Sequence, residues 1–183
     1  MPLLEQPLLM TARLCLREVC STDAADLYAV HSDPQVMRYW GYPAWTTLAQ
    51  AQAKVADIAR QRANEPILVW AVAEAGSDRL IGTIALFSIN TVQGRAEIGY
   101  SLASAWHGRG LAREAVAAIL THAFQGLGLR RVEADIDPRN TASRRLAEHF
   151  GFQIEGRLRE RWQVNGELCD SLLYGLLARD FRH

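Results

Sequence analysis

Gly108 and Gly110 stand two residues apart with Arg109 between them and Arg113 just beyond, immediately before a strongly periodic apolar segment. Glycine has no Cβ, so the backbone there can approach a ligand closely and turn successive N–H groups toward it. A helix opening at the same place adds the positive end of its dipole. Such a turn suits an anion, in particular a mono- or diphosphate, with Arg109 and Arg113 adding charge by contact or by field. Two familiar phosphate loops do not fit. No Gly-Lys-Ser/Thr follows at the required spacing, and Arg113 stands where a dinucleotide fingerprint needs its third glycine. The plain alternative is a glycine pair that ends a strand and opens a helix without any ligand.

Three further segments carry side chains capable of chemistry. In "AEIGYSL", Glu97, Gly99 and Ser101 alternate against Ile98, Tyr100 and Leu102. In "NTASRRLAEHF", Asn140, Ser143, Leu146, Ala147 and Phe150 share one helix side, so an apolar stripe has a polar end; Asn140 or Ser143 would alternatively cap that helix. In "GRLRERWQV", Leu158, Glu160 and Trp162 share a strand face, and a surface pair with Arg157, Arg159 or Arg161 is the other reading of Glu160. Tyr39, Trp40, Tyr42 and Trp45 crowd one loop, which either walls a pocket or packs onto the core.

These residues need elements to position them. "RLCLREV" reads as an opening strand, followed by a short helix capped by Ser21 or Thr22 that Pro34 stops. Leu48, Ala51, Val55, Ile58, Ala59 and Arg62 predict a second helix behind Thr46 or Thr47. "ILVWAVAE" and "RLIGTIALFSI" form a hairpin about Gly76-Ser77-Asp78, and Gln93-Gly94 turns into "AEIGYSL", giving three antiparallel strands. A helix from about Ala112 to Leu127 then separates "AEIGYSL" from "RRVEADI", which makes that strand pair parallel through a right-handed crossover. Asn140 to Phe150 is a helix closed by Gly151, and "FQIEGRLRERWQV" and "CDSLLYGLL" pair about Asn165-Gly166. The fold class is α/β of the mixed α+β kind: a central mixed, mostly antiparallel sheet with helices on both faces.

The 183 residues show no linker or composition shift, so one domain over residues 1–183 is expected. A net charge of zero lends nothing to a nucleic-acid or membrane-surface role, and no apolar run approaches the ~20 residues of a bilayer span. Lys54 is the sole lysine, and between Trp106 and Arg145 seven arginines face four acids, a locally basic middle suited to an anionic ligand or to a solvated helix face. Cys15, Cys20 and Cys169 lack a metal-ligand spacing and read as structural, so no metal is expected; the expected location is the cytoplasm. A homodimer is compatible with the sequence.

"HGRGLA", His107 to Ala112, resembles the acyl-coenzyme A pyrophosphate loop of the GNAT superfamily of N-acetyltransferases, Gln/Arg-x-x-Gly-x-Gly/Ala. His107 departs from the usual first residue, whereas Gly110 and Ala112 fit. "TARLCLRE", "LIGTIAL", "AEIGYSL", "NTASRRLAEHFGFQIEG" and "NGELCDSLLYGLL" follow in the order of the Rim-type branch, which includes the ribosomal-protein-alanine N-acetyltransferases, so the resemblance spans roughly Leu9 to Asp180. It implies acetyl-coenzyme A (acetyl-CoA) as co-substrate and direct attack of a primary amine on the thioester. The acceptor is either a protein or peptide N-terminus or a small amine.

The resemblance also assigns roles. The loop residues His107, Gly108, Arg109, Gly110, Leu111, Ala112 and Arg113 would hold pyrophosphate, and the backbone of Leu102, Ala103 and Ser104 would be free to pair with the pantetheine arm. Asn140 would bond that arm, Ser143 would protonate the leaving thiolate, and Glu97 would serve as general base unless it pairs structurally with an arginine. Many relatives carry a tyrosine acid where this chain has Ala147. Rim-type relatives hold a water on a glutamate of the strand after Gly156; that position aligns nearer Trp162, and Glu160 could serve from a shifted register. Trp40 and Trp45 are expected to select the acceptor. A non-catalytic acyl-CoA sensor and a nucleotide-phosphate binder are the alternatives.

Overall fold

The computed structural model describes residues 4–164 and 166–182. The chain runs β1 (Leu9–Met10), β2 (Leu14–Glu18), α1 (Ala24–His31), α2 (Pro34–Met37), α3 (Leu48–Asn64), β3 (Leu68–Glu74), β4 (Leu80–Asn90), β5 (Arg95–Leu102), α4 (Leu111–Thr121), β6 (Arg131–Ile136), α5 (Thr141–Phe150), β7 (Gln153–Val164) and β8 (Glu167–Leu177). Its strands form one eight-stranded sheet, ordered β1-β2-β3-β4-β5-β6-β8-β7. The β5–β6 pair is parallel and the other pairs are antiparallel. The intervening α4 explains this, because a parallel connection needs a long crossover and not a hairpin.

Alternation sorts the sheet into two faces. Trp70, Val72, Ile84 and Leu86 face α4 and α5, where they meet Val116, Ile119, Leu120 and Phe150. Ala71 and Leu80 face the opposite way, toward Val30 of α1, and Leu27 of α1 packs on Val55 of α3. Helices therefore cover both faces. Among the described residues, no helix is long and apolar enough to cross a membrane.

The feature that positions the site is a short parallel pairing. β5 and β6 are in register only at Arg95 with Arg131, Ala96 with Val132 and Glu97 with Glu133. Beyond Glu97, β5 stays with β4 as far as Leu102, while β6 continues against β8 to Ile136. The sheet thus opens into a V with Glu97 at its apex.

Several expectations are corrected in detail. Pro34 does not only stop a helix: it opens α2, with the Asp33 carboxylate accepting from the Gln35 N–H at 2.8 Å. Proline fits there because the first helical N–H has no intrahelical partner in any case. Helix α4 ends earlier than expected, in a π turn over His122–Gly126 where the Leu127 N–H donates to the His122 carbonyl at 2.9 Å. A Cβ on Gly126 would lie 2.5 Å from the His122 ring, so glycine permits the wider turn. Leu48 opens α3 but is exposed, outside the buried stripe of Ala51, Val55 and Ile58. Of the turn between β7 and β8, Asn165 lies outside the described residues and Gly166 has φ of +83°.

Strand β7 also breaks its alternation. Leu158 pairs with Ser171 and Trp162 with Cys169, so β7 spends two more residues than β8 in that interval, and Glu160 takes φ of +51°. The expected common face of Leu158, Glu160 and Trp162 is interrupted by this bulge.

A buried ion pair ties β2 to the start of α1. Arg17 donates to both Asp23 oxygens at 2.8 Å and also pairs with Asp78 of the β3–β4 turn at 2.7 Å. Burial pushes the Asp23 carboxyl up, but the Arg17 guanidinium and the Cys20 amide outweigh it and hold it below its ordinary value. Asp23→Ala would leave the guanidinium with the exposed Asp78 as its only acid, and a loss of about 2 kcal/mol in urea unfolding is expected. Because the folded carboxyl lies below the unfolded value of about 3.9, its contribution is complete above that pH and disappears as pH falls through the folded value. The variant should therefore lose less stability on acidification below pH ~4 than the parent does.

Candidate active site

A cavity of about 700 Å³ runs through the V and is lined from both sides of the sheet. Tyr100, Asn140, Ser143 and Leu146 line its helix-covered side; Glu97, Phe87, Tyr39, Trp40, Tyr42 and Trp162 line the other.

The glycine turn lies at the head of α4. Gly108 and Gly110 have φ of +73° and +77°, with Gly110 as the N-cap of the helix. Nothing lies within 4 Å of where a Gly108 Cβ would be, so the Cα of this residue faces open space. An acid in the first helical turn, Glu114, would cancel the positive field, but Arg13 neutralises it at 2.7 Å and also donates to the Arg109 carbonyl at 2.9 Å. Arg109 rests on the Trp106 ring at 4.9 Å, and among the described residues neither it nor Arg113 has an ion pair. The His107 Nε2 is 2.7 Å from the Leu102 carbonyl, so this histidine braces the loop against the end of β5.

That brace corrects one expectation. The backbone at 102–104 is largely committed, because Ala103 N–H donates to Ile81 at 2.8 Å and the Ala103 and Ser104 carbonyls accept from Trp106 and His107. The edge of β5 that the splay leaves without a β6 partner lies nearer the apex, over residues 98–101.

Asn140 does cap α5, its Oδ1 accepting from the Ser143 N–H at 3.1 Å. Its side-chain amide nitrogen has no partner among the described residues and is available to a ligand. The Ser143 and Tyr100 hydroxyls line the same cavity, and burial pushes the Tyr100 phenol up to about 12, against a smaller opposite pull from Ser143. A phenol held so high stays protonated at neutral pH. Alternation placed Tyr100 on the face opposite Glu97, and both reach one cavity because the cavity crosses the sheet.

The Glu97 carboxylate has no hydrogen bond or ion pair among the described residues, so the expected arginine alternative is not realised. Glu160 does not line the cavity; it is exposed on the β7 bulge, where its N–H donates to Asp170 at 2.9 Å. Of the two tryptophans expected at the acceptor, Trp40 lines the cavity and Trp45 does not. Trp45 stacks behind it on His31, with ring centroids 4.4 Å apart. Burial, aided by the charge of Lys54, pushes the His31 imidazole down to about 4, so it is neutral at pH 7. Trp162 and Phe87 enter the acceptor wall by strand register, a signal that single-sequence alternation carries only weakly.

Residues 13–153 match the family described as Acetyltransferase (GNAT) domain. The chain belongs to the GNAT acetyltransferase family. It is 35% identical to an uncharacterized N-acetyltransferase p20 of Bacillus licheniformis over 94% of this chain and 97% of that one. It is 28% identical to the [ribosomal protein uS5]-alanine N-acetyltransferase of Escherichia coli, over 94% and 92% of the two chains. The spermidine N-acetyltransferase of Vibrio cholerae, solved in complex with CoA and spermine, shares the fold with a TM-score of 0.82 at 23% identity, over 93% and 98%. The protein is thus a GNAT N-acetyltransferase, and enzymes of this family draw on acetyl-CoA.

Proposed function

We propose that this GNAT enzyme transfers the acetyl group of acetyl-CoA directly to a primary amine whose ammonium proton passes to Glu97, with or without an intervening water. The observation that carries the reading is that Glu97, unpaired among the described residues, and the hydroxyls of Tyr100 and Ser143 line one cavity at the parting of β5 and β6. In this reading the pyrophosphate sits on the turn of residues 107–113 and the pantetheine arm lies in the V beside Asn140. The amine nitrogen forms a bond to the thioester carbon, the C–S bond breaks, and the thiolate takes a proton from Ser143, which regains one from water or from the nearby Tyr100 phenol. Glu160 has no part in it. The acceptor is a protein or peptide N-terminus or a small amine, and relatives of both kinds support keeping both classes.

The test is thiol release from acetyl-CoA across an amine panel that includes ribosomal-protein N-terminal peptides, with binding of acetyl-CoA, ATP and NAD measured by calorimetry. Turnover with at least one amine is expected. Tight acetyl-CoA binding without turnover of any amine would point to a sensor instead, and preferential binding of ATP or NAD to a nucleotide binder.

A further inference from the structure

The acceptor end of the cavity is roofed. Residues 38–42, delivered by α2, cross to the opposite wall: a Cβ on Gly41 would lie 3.5 Å from the Trp162 ring, and the Arg139 guanidinium is 5.9 Å from the centre of the Tyr39 ring. A folded protein surface cannot be pressed against Glu97 while this roof is in place. The space beneath it is bounded by flat rings, those of Tyr39, Trp40, Tyr42, Phe87 and Trp162.

Charge narrows the occupant further. Four of the five carboxylates on the cavity wall already have an arginine partner, two of them sharing Arg139. Asp135 is paired with Arg161 at 3.3 Å, Asp137 with Arg139 at 2.7 Å, Asp170 with Arg157 at 2.6 Å, and Glu167 with Arg139 at 2.5 Å. Glu97 is the fifth and is unpaired among the described residues. The same wall carries Arg38, which lies 5.2 Å over the Tyr39 ring and has no ion pair among the described residues, and Lys54. His31 adds no charge at neutral pH. One cationic nitrogen therefore finds a carboxylate and π-faces, whereas a second finds only acids that already hold arginines and meets Arg38.

We infer that the acceptor is a small primary monoamine with an aromatic or similarly flat apolar body, and neither a polyamine nor the end of a folded protein. The inference rests on the acetyl-transfer reading of the same site.

The test compares kcat/KM for 2-phenylethylamine, tryptamine, spermidine and an alanine-terminated ribosomal-protein peptide, by thiol release with the full chain. The aromatic monoamines should exceed spermidine and the peptide by about tenfold or more, since one ring contact or one unmatched charge is each worth about 1 kcal/mol. Trp162→Ala should raise KM for phenylethylamine about tenfold while its acetyl-CoA affinity by calorimetry reports that the fold is intact. Arg38→Glu, on an exposed residue, supplies the missing second acid and should shift the spermidine to phenylethylamine ratio about fivefold toward spermidine. Turnover of spermidine or the peptide equal to or better than the aromatic amines overturns the inference and leaves acetyl transfer standing. An unmoved ratio in Arg38→Glu also overturns it. Absence of thiol release with every amine overturns the acetyl-transfer reading itself.

Discussion

Glu97→Gln is expected to lower kcat about 10²- to 10⁴-fold at neutral pH while leaving acetyl-CoA affinity unchanged. The substitution keeps the shape of the side chain and removes only its capacity to take a proton. It breaks no ion pair, since Glu97 has none among the described residues, so the fold should tolerate it. A primary amine is mostly protonated near pH 7, and this is the deficit that the carboxylate corrects. The defect should therefore narrow as pH rises toward the amine's own pKa, where solvent supplies free amine without help. Steady-state kinetics from pH 6 to 10 with calorimetry of acetyl-CoA would test this, and unchanged turnover at pH 7 would remove Glu97 from the mechanism.

Ser143→Ala and Tyr100→Phe should each lower kcat, the first by about 10- to 100-fold and the second by about tenfold. A thiolate leaves more readily than an alkoxide, so its proton donor contributes less than the base does. The Asn140 cap on α5 is made to the Ser143 backbone N–H, so Ser143→Ala should not loosen the helix. If Tyr100 acts by orienting Ser143, the double variant should be no slower than Ser143→Ala alone, because the two hydroxyls form one unit. Effects that multiply would mean that Tyr100 acts separately, and unchanged kcat in Ser143→Ala would exclude serine as the acid.

The glycine turn was legible because its chemistry is local. The positive φ of Gly108 and Gly110, the helix that follows and the two arginines are all properties of consecutive residues. The bonding partner of His107 was not legible, since the Leu102 carbonyl reaches it only through the bend after β5. Glu160 shows a failure of a different kind. Alternation carries a side chain's direction along a strand only while the ladder is regular, and two additional residues between Leu158 and Trp162 take Glu160 away from the cavity. Trp45 and Trp40 are equally aromatic and five residues apart, yet one stacks on His31 behind the wall and the other forms it.

The sequence by itself determined the order of strands and helices apart from the short β1 and α2, the parallel pair forced by a long crossover, the glycine turn before α4 and the family. Each depends on short-range periodicity, on glycine conformations or on the order of motifs along the chain. Tertiary structure alone decided that β5 and β6 part just after Glu97, so that residues on opposite faces of one strand, Glu97 and Tyr100, open into the same space. It alone decided which wall carboxylates are paired with arginines and which one is unpaired among the described residues. Both facts depend on distances between residues far apart in the chain, set by sheet register and packing, and no local pattern encodes them.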